Sequence, residues 1–334
     1  MNFIKTLKSK HMNELTLGLI LIGVFILMSI LSPSQFLSLG NIQTMAFQMP
    51  EFGLISLGMM VAILTGGINL SITSIAALSG IVSAFVLSSS WAGEHPVLAT
   101  LTAVLVCLAI AVITGIINGV VVAYVGVAAM LVTLGTMTLF DGISLNLTKG
   151  GSVSGFPDQF IQIGNGSLVG IPIPIIIYIV SVVAAYFILE RSAWGIRVYM
   201  TGCNETATRF SGINTKRTLL MVYVFSSIMA GIGGLIIISR YNSAKVDYGS
   251  SYMMNSVAAV VLGGTSINGG HGTVAGTVIA VGIIQVVSSG LNILGVNRYI
   301  VDIVIGAILI VVLAIRYFTG LYGSSKLLKK STVS

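Results

Sequence analysis

The sequence predicts an all-α polytopic membrane protein with about ten membrane segments, some of them broken or half-spanning, and with both termini in the cytoplasm. The chain has 334 residues, of which 55% are hydrophobic and only 7% charged, whereas soluble domains carry roughly 25% charged residues. The apolar residues form long runs rather than ten-residue alternations, which favours helices over a closed barrel. Residues 1–334 are therefore predicted to form a single transmembrane domain.

The first apolar run follows three lysines near the N-terminus and lacks a small-residue cleavage site, so it is predicted to be an uncleaved first helix. Later apolar runs are separated by short polar or Gly-rich stretches, including a Gly-rich loop over 148–170 and a polar stretch over 240–255. The predicted segments are 15–31, 42–64, 72–87, 97–125, 127–147, 171–189, 219–239, the half-span 256–262, 274–290 and 299–315.

The distribution of basic residues predicts the orientation of these segments. When the N-terminus is placed in the cytoplasm, most of the 16 Lys and Arg residues fall on the cytoplasmic side. The net charge of +7 is then a topology signal, and no nucleic-acid partner is expected. This orientation also places residues 190–217 and the tail, residues 316–334, in the cytoplasm.

Residues 190–217, named here the coupling loop, form a charged island in an apolar chain. Gly202 and Gly212 bracket a stretch that predicts a short helix, with Asn204 as its N-cap. Glu205 and Arg209 are four residues apart, which predicts an ion pair on that helix. We expect this loop to dock a separate motor protein, although a solvated connection between helices is the simpler alternative.

No motor is encoded in the chain itself. The phosphate-binding pattern GxxxxGK[ST] is absent, and the Gly-rich stretch 263–273 has no Lys before Thr273. No catalytic triad or HExxH motif occurs, and the three His and two Cys residues lack metal-ligand spacing. The chain is therefore predicted to be a non-enzymatic transporter subunit without a metal or bound cofactor.

Two apolar runs end alike in a Gly-Gly pair, at Gly66-Gly67 and at Gly263-Gly264. Each pair is followed by small polar residues, namely Asn69 and Ser71 after the first and Thr265 and Ser266 after the second. Glycine-interrupted segments in corresponding halves of a chain point to a transport pathway. Close packing of helices through small residues is the alternative explanation.

Glu51 and Asp141 are acidic residues inside predicted membrane segments, and such residues are candidates for function. Glu51 follows Pro50, so it either bonds backbone freed by the proline kink or faces the pathway. An ion-coupled secondary carrier would hold several acids paired with bases across its helices. The scattered acids disfavour this carrier, which remains the alternative function.

Four stretches, taken in order, are similar to motifs of one known family. Residues 66–71, GGINLS, are similar to GGIDLS, and residues 133–137 match TLGTM. Residues 202–213 are similar to GxNxxAARxSGI, and residues 258–273 are similar to AAVVLGGTSxxGGxGT. The chain thus resembles the permease subunits of bacterial ABC importers for ribose and related sugars.

The resemblance implies a permease of the cell (inner) membrane, driven by a cytoplasmic ATPase that binds ATP and Mg²⁺. It implies an extracellular or periplasmic solute-binding protein, and pairing with a second copy or a sister permease. It assigns ATPase coupling to Gly202, Asn204, Glu205, Ala207, Arg209, Ser211, Gly212 and Ile213. The two Gly-Gly elements and the TLGTM stretch supply the candidate pathway or gate residues, namely Gly66, Gly67, Asn69, Ser71, Thr133, Gly263, Gly264, Thr265 and Ser266.

The chain departs from the family pattern at Asn69, where Asp is usual, at residues 253–255 and at Asp141. These departures leave the solute open among a pentose, a hexose, a polyol, an autoinducer sugar and a nucleoside. Within the same family, a branched-chain amino acid is the nearest alternative class of solute.

Overall fold

Apolar helices make up most of the structure, a computed structural model that describes residues 2–297, 299–308, 310 and 314, with side chains from residue 14 onward. Over this range seven helices are long and apolar enough to cross a membrane, and three more are apolar but shorter. The predicted all-α polytopic class is thus confirmed. The predicted cytoplasmic tail, residues 316–334, lies outside the described residues.

The helices are numbered in chain order. They are α1 Asn2–Leu31, α2 Pro33–Phe36, α3 Leu39–Leu64, α4 Ile72–Leu87, α5 Ser90–Glu94, α6 Pro96–Val120, α7 Ala129–Thr148, α8 Asp158–Asn165, α9 Ile173–Tyr186, α10 Ala193–Cys203, α11 Glu205–Phe210, α12 Thr215–Tyr241, α13 Tyr252–Leu262, α14 Val274–Ile293 and α15 Tyr299–Ile308. Turns of π-helix extend α6 over Val121–Val125 and α9 over Phe187–Arg191.

Helices α3 and α12 lie at the centre of the described structure. Every residue of α3 from Pro50 to Leu64 is buried, and α12 packs against α3, α4 and α6. Small residues allow this close packing, since a Cβ at Gly234 of α12 would overlap the carbonyl oxygen of Ala76. By contrast, α6, α7 and α9 expose many apolar side chains, as lipid-facing helices do.

Both Gly-Gly pairs follow the end of a helix, as the sequence predicts. Helix α3 ends at Leu64, and Gly66 then adopts a φ of 77°. Helix α13 ends at Leu262, and Gly264 adopts a φ of 102°. These left-handed conformations are available to glycine without steric cost. The neighbouring helices α4 and α13 have only 16 and 11 residues, short of the roughly 20 that span a bilayer.

The predicted Gly-rich loop over 148–170 contains helix α8 and three two-residue strands: β1 Val153–Ser154, β2 Ser167–Leu168 and β3 Ile171–Pro172. Strand β1 pairs antiparallel with β4, Ser243–Ala244, and β2 pairs antiparallel with β3. The Ser239 hydroxyl of α12 donates to the Phe160 carbonyl oxygen at 2.6 Å and accepts from the Gly164 amide at 2.7 Å. These contacts hold α8 against α12.

Candidate functional site

The coupling loop meets the end of α3 and the connection from α13 to α14 at one place, named here the junction. The junction consists of Leu64–Gly66 at the end of α3, Gly202–Cys203 at the end of α10, and Gly269–Gly270 in the connection from α13 to α14. The Gly270 amide donates to the Leu64 carbonyl oxygen at 2.9 Å. The connection from α13 to α14 therefore caps the C-terminal end of α3.

Glycine is required at the junction because the three backbones touch. A Cβ at Gly202 would overlap the Leu64 carbonyl oxygen and lie 2.6 Å from the Gly270 amide nitrogen. A Cβ at Gly269 would lie 2.7 Å from the Gly66 amide nitrogen and 2.8 Å from the Gly202 carbonyl oxygen. No side chain fits between these segments, so the coupling loop and the end of α3 are in direct backbone contact.

Two further contacts join the coupling loop to the connection between α13 and α14. The Tyr199 hydroxyl of α10 donates to the Gly272 carbonyl oxygen at 2.9 Å. Burial, with a smaller contribution from Glu190, raises the pKa of the Tyr199 phenol, so it remains a neutral donor at physiological pH. The Glu190 carboxylate accepts from the Val274 amide at 3.1 Å, which places a negative charge at the N-terminus of α14.

The short helix predicted in the coupling loop is present as α11. The Asn204 side chain caps it by accepting from the Ala207 amide at 2.9 Å, as predicted. The predicted ion pair between Glu205 and Arg209 is wrong, since within the described part of the chain no contact joins them. Among the predicted coupling residues, Asn204, Glu205, Ala207, Arg209, Ser211 and Gly212 are exposed, and Gly202 and Ile213 are partly buried.

Three predicted pathway residues belong to a buried polar network below the junction. The Ser71 hydroxyl donates to the Asn69 side-chain oxygen at 2.8 Å, and the Asn69 amide donates to the Ser226 hydroxyl at 3.0 Å. The Thr133 hydroxyl donates to the Ile68 carbonyl oxygen at 3.0 Å. Asn69, Ser71 and Thr133 are fully buried, so this network holds the start of α4 against α7 and α12.

Asn118 of α6 completes that network. Its amide donates to the Ser71 hydroxyl at 2.8 Å, and its side-chain oxygen accepts from the Thr136 hydroxyl at 2.7 Å. Neither Asn118 nor Ser226 was predicted from the sequence as a member of the site. Asn118 could have been predicted, because it is a polar side chain within a long apolar run and such a side chain needs a hydrogen-bond partner.

The second Gly-Gly element packs against α14 rather than beside the first pair. A Cβ at Gly263 would lie 2.7 Å from the Gly276 carbonyl oxygen. The Thr265 hydroxyl is buried, and none of the described residues bonds to it, while the Ser266 amide donates to the His271 carbonyl oxygen at 2.9 Å. The predicted pathway residues are thus distributed over the junction, the buried network and the α13–α14 contact.

Comparison with known proteins identifies the family. Residues 41–313 match the family described as "Branched-chain amino acid transport system / permease component". The chain belongs to this permease family. It is 38% identical to a ribose import permease of Bacillus subtilis, with 87% of this chain and 89% of that protein covered. It is 35% identical to a D-allose transport system permease of Escherichia coli, with 85% and 86% covered.

A third relative is an autoinducer 2 import system permease of Photorhabdus temperata, 31% identical over 89% of each chain. No solved structure matches. The resemblance to ribose-type permeases drawn from the four motifs is confirmed. With seven helices of membrane-spanning length and composition, this member of the permease family is a multi-pass membrane protein.

Glu51 of the permease has hydrogen-bond partners that were not predicted from the sequence. Its carboxylate accepts from the Arg240 guanidinium, with Nη2 3.1 Å from Oε2, and from the Tyr252 hydroxyl at 3.1 Å. The expectation that Glu51 bonds backbone freed by Pro50 is therefore wrong. Arg240 was placed in a polar stretch outside the membrane segments, but α12 continues to Tyr241 and carries Arg240 beside Glu51.

Asp141, the other acidic candidate, is half-buried on α7 of the permease. Within the described part of the chain no side chain bonds to it, and it takes no part in the contact between Glu51 and Arg240. The two acids therefore do not form a relay across the described helices. Among the described residues only Glu51 and Arg240 form an ion pair between helices, fewer than the several such pairs expected of an ion-coupled carrier.

Proposed function

We propose that the chain is the translocating subunit of an ABC importer for a sugar or sugar-like solute in the cell (inner) membrane. The observation that carries the proposal is the junction, where the exposed coupling loop touches the end of α3 and the connection from α13 to α14. The named relatives support the solute class, since their names specify ribose, D-allose and autoinducer 2. Ten membrane segments with both termini in the cytoplasm complete the proposed topology.

The ATPase docks on the coupling loop and supplies the bound ATP and Mg²⁺. Helix α11 suits this contact because all of its residues except Thr208 are exposed, and Phe210 at its end is 84% exposed. A large aromatic side chain with this exposure is a natural anchor for a partner protein. Coupling then involves Gly202, Asn204, Glu205, Ala207, Arg209, Ser211, Gly212 and Ile213.

Motion passes from the ATPase to the membrane helices through backbone contact. When ATP binding moves α11, Gly202 moves against the Leu64 carbonyl, and α3 shifts with it. Because packed interfaces switch between discrete arrangements rather than deform continuously, a small displacement can open or close a pathway. The solute arrives from an extracellular or periplasmic binding protein, and a second permease copy or a sister permease forms the other half of the pathway.

A Gly202→Ala variant tests this proposal. The added methyl group overlaps the Leu64 carbonyl oxygen, and overpacking of this kind costs about 1–3 kcal/mol. We expect ATP-driven sugar uptake to fall about tenfold or more, while the variant still co-purifies with its ATPase. Uptake is measured with radiolabelled D-ribose and D-allose in liposomes that hold the assembled transporter.

Gly135→Ala on α7 is the matched control, because a Cβ there meets nothing within 4 Å. It should retain full uptake. Normal uptake by Gly202→Ala would contradict transmission through the junction. If the unmodified transporter moved neither sugar in an ATP-dependent way, the proposed solute class would be wrong.

A further inference from the structure

A cavity of about 460 Å³, named here the inner cavity, lies beside the junction. Its volume falls within the range of small-molecule binding sites. The broken end of α3, the π turn after α6, the coupling helix α11 and the start of α12 enclose it. Its lining includes Thr65, Gly66, Gly67, Tyr124, Ala128, Glu205, Arg209, Lys216 and Tyr223.

Tyr223 is the most informative lining residue. Its side chain is only 1% exposed, and the hydrogen bonds of the described residues do not include its hydroxyl. The phenol oxygen points toward Gly67, where a Cβ would lie 2.7 Å from it. Because the hydroxyl lines the cavity and has donor and acceptor capacity left over, an occupant of the cavity is expected to bond to it.

The other polar groups of the cavity suit a neutral ligand with many hydroxyls. The Thr65 hydroxyl donates to the Ala62 carbonyl oxygen at 2.8 Å, which leaves its acceptor positions available. Glu205 accepts hydrogen bonds, whereas Arg209 and Lys216 donate them. A hydroxyl group both donates and accepts, so a polyhydroxylated molecule can bond to all of these groups. Charges of both signs line the cavity, so a ligand of either net charge would lie near a like charge as well as an opposite one.

We propose that the inner cavity holds the transported solute, a neutral polyhydroxylated molecule, as it leaves the membrane, with the Tyr223 hydroxyl as a direct contact. The inference rests on the proposed function. Because Glu205 and Arg209 of α11 line the cavity, the helix that docks the ATPase also forms part of the solute site. Movement of α11 therefore changes the site, which couples solute release to the ATPase cycle.

A Tyr223→Phe variant removes only the hydroxyl. The loss of one hydrogen bond to the solute should reduce the sugar moved per ATP hydrolysed by about fivefold. The measurements are uptake of radiolabelled D-ribose or D-allose and ATP hydrolysis stimulated by the loaded binding protein, both with the assembled transporter in liposomes. ATP hydrolysis itself should remain within about twofold of the unmodified rate, since α11 and the junction are intact.

Tyr178→Phe on α9 is the matched control, because it also removes a tyrosine hydroxyl without a bonding partner among the described residues, but one that is buried outside the cavity. It should leave the ratio of sugar to ATP unchanged. The proposal is overturned if Tyr223→Phe keeps the same ratio as Tyr178→Phe. A parallel fall in uptake and hydrolysis also overturns it, since that result indicates a segment of the ATPase, rather than the solute, in the cavity.

Thiol labelling provides a test that does not depend on transport. An Ala128→Cys variant places a thiol in the cavity lining. The exposed Cys203 is replaced by Ser so that it does not react, whereas the buried Cys107 is kept. The variant is labelled with a maleimide on inside-out vesicles. D-ribose or D-allose at four times its dissociation constant should slow labelling about fivefold by occupying the cavity. If neither sugar slows labelling, the solute site is refuted. Protection without ATP-driven uptake would instead refute the proposed function and leave the cavity as a sugar site.

Discussion

The buried contact between Glu51 and Arg240 makes a strong prediction about stability. Glu51 is fully buried on α3, and the Arg240 side chain on α12 is only 15% exposed. The Tyr252 hydroxyl of α13 donates to the same carboxylate, so one acidic group joins three helices. An Arg240→Met variant removes the guanidinium but keeps a side chain of similar length.

The expected loss is large because the remaining carboxylate has no nearby positive charge. Removing one member of a buried ion pair typically destabilises a protein by about 3–5 kcal/mol. Replacing both members is much less costly, since no uncompensated charge remains. The double variant Glu51→Gln with Arg240→Met should therefore be more stable than Arg240→Met alone, with a coupling free energy of about 2–3 kcal/mol.

The assay is reversible unfolding of the purified chain in mixed detergent micelles, with the free energy of unfolding determined for the four members of the cycle. A Tyr252→Phe variant should lower the free energy of unfolding by about 1.5–3 kcal/mol, since it removes one hydrogen bond to a charged group. A coupling free energy below about 0.5 kcal/mol would show that Glu51 and Arg240 act independently. That result would refute the reasoning.

Three further predictions concern other contacts. Phe210→Ala should weaken binding of the ATPase by about 2 kcal/mol or more, measured by titration of the purified subunits, and unchanged affinity would exclude Phe210 as an anchor. Asn118→Leu should lower the free energy of unfolding by about 1–3 kcal/mol, because the Ser71 hydroxyl loses a donor and the Thr136 hydroxyl an acceptor; a neutral effect in the same micelle assay would argue against the buried network. Tyr199→Phe should increase hydrogen exchange of the 266–273 segment by an amount equivalent to about 1 kcal/mol, and unchanged exchange would show that its bond to the Gly272 carbonyl is not formed.

Features that depend on neighbours in the sequence were predicted well. The apolar runs indicated the membrane helices because a helix satisfies its own backbone within one segment. Asn204 was predicted as a cap because an N-cap bonds to an amide only three residues away, and helix α11 is present where this signal placed it. The ends of α3 and α13, just before Gly66 and Gly264, were also predicted, because glycine adopts left-handed turns without steric cost.

Errors arose where the partner is distant in the sequence. Arg240 was assigned to a polar stretch because nothing near it in the chain reveals Glu51, which is 189 residues away. Glu205 and Arg209 have the spacing of a pair, but exposed ion pairs contribute little free energy, and the two side chains instead line a cavity. The pathway residues looked like one set in the sequence, yet they lie in three separate environments.

By itself, then, the sequence determined that the protein is a helical membrane transporter subunit with an exposed coupling loop, since hydropathy, charge bias and capping are local properties. The tertiary structure alone decided that Gly202, Leu64 and Gly270 share one junction. It also decided that Asn69 supports a buried network and that Tyr223 faces a cavity. Such contacts depend on how helices far apart in the chain pack together, and a pattern of residues does not specify that packing.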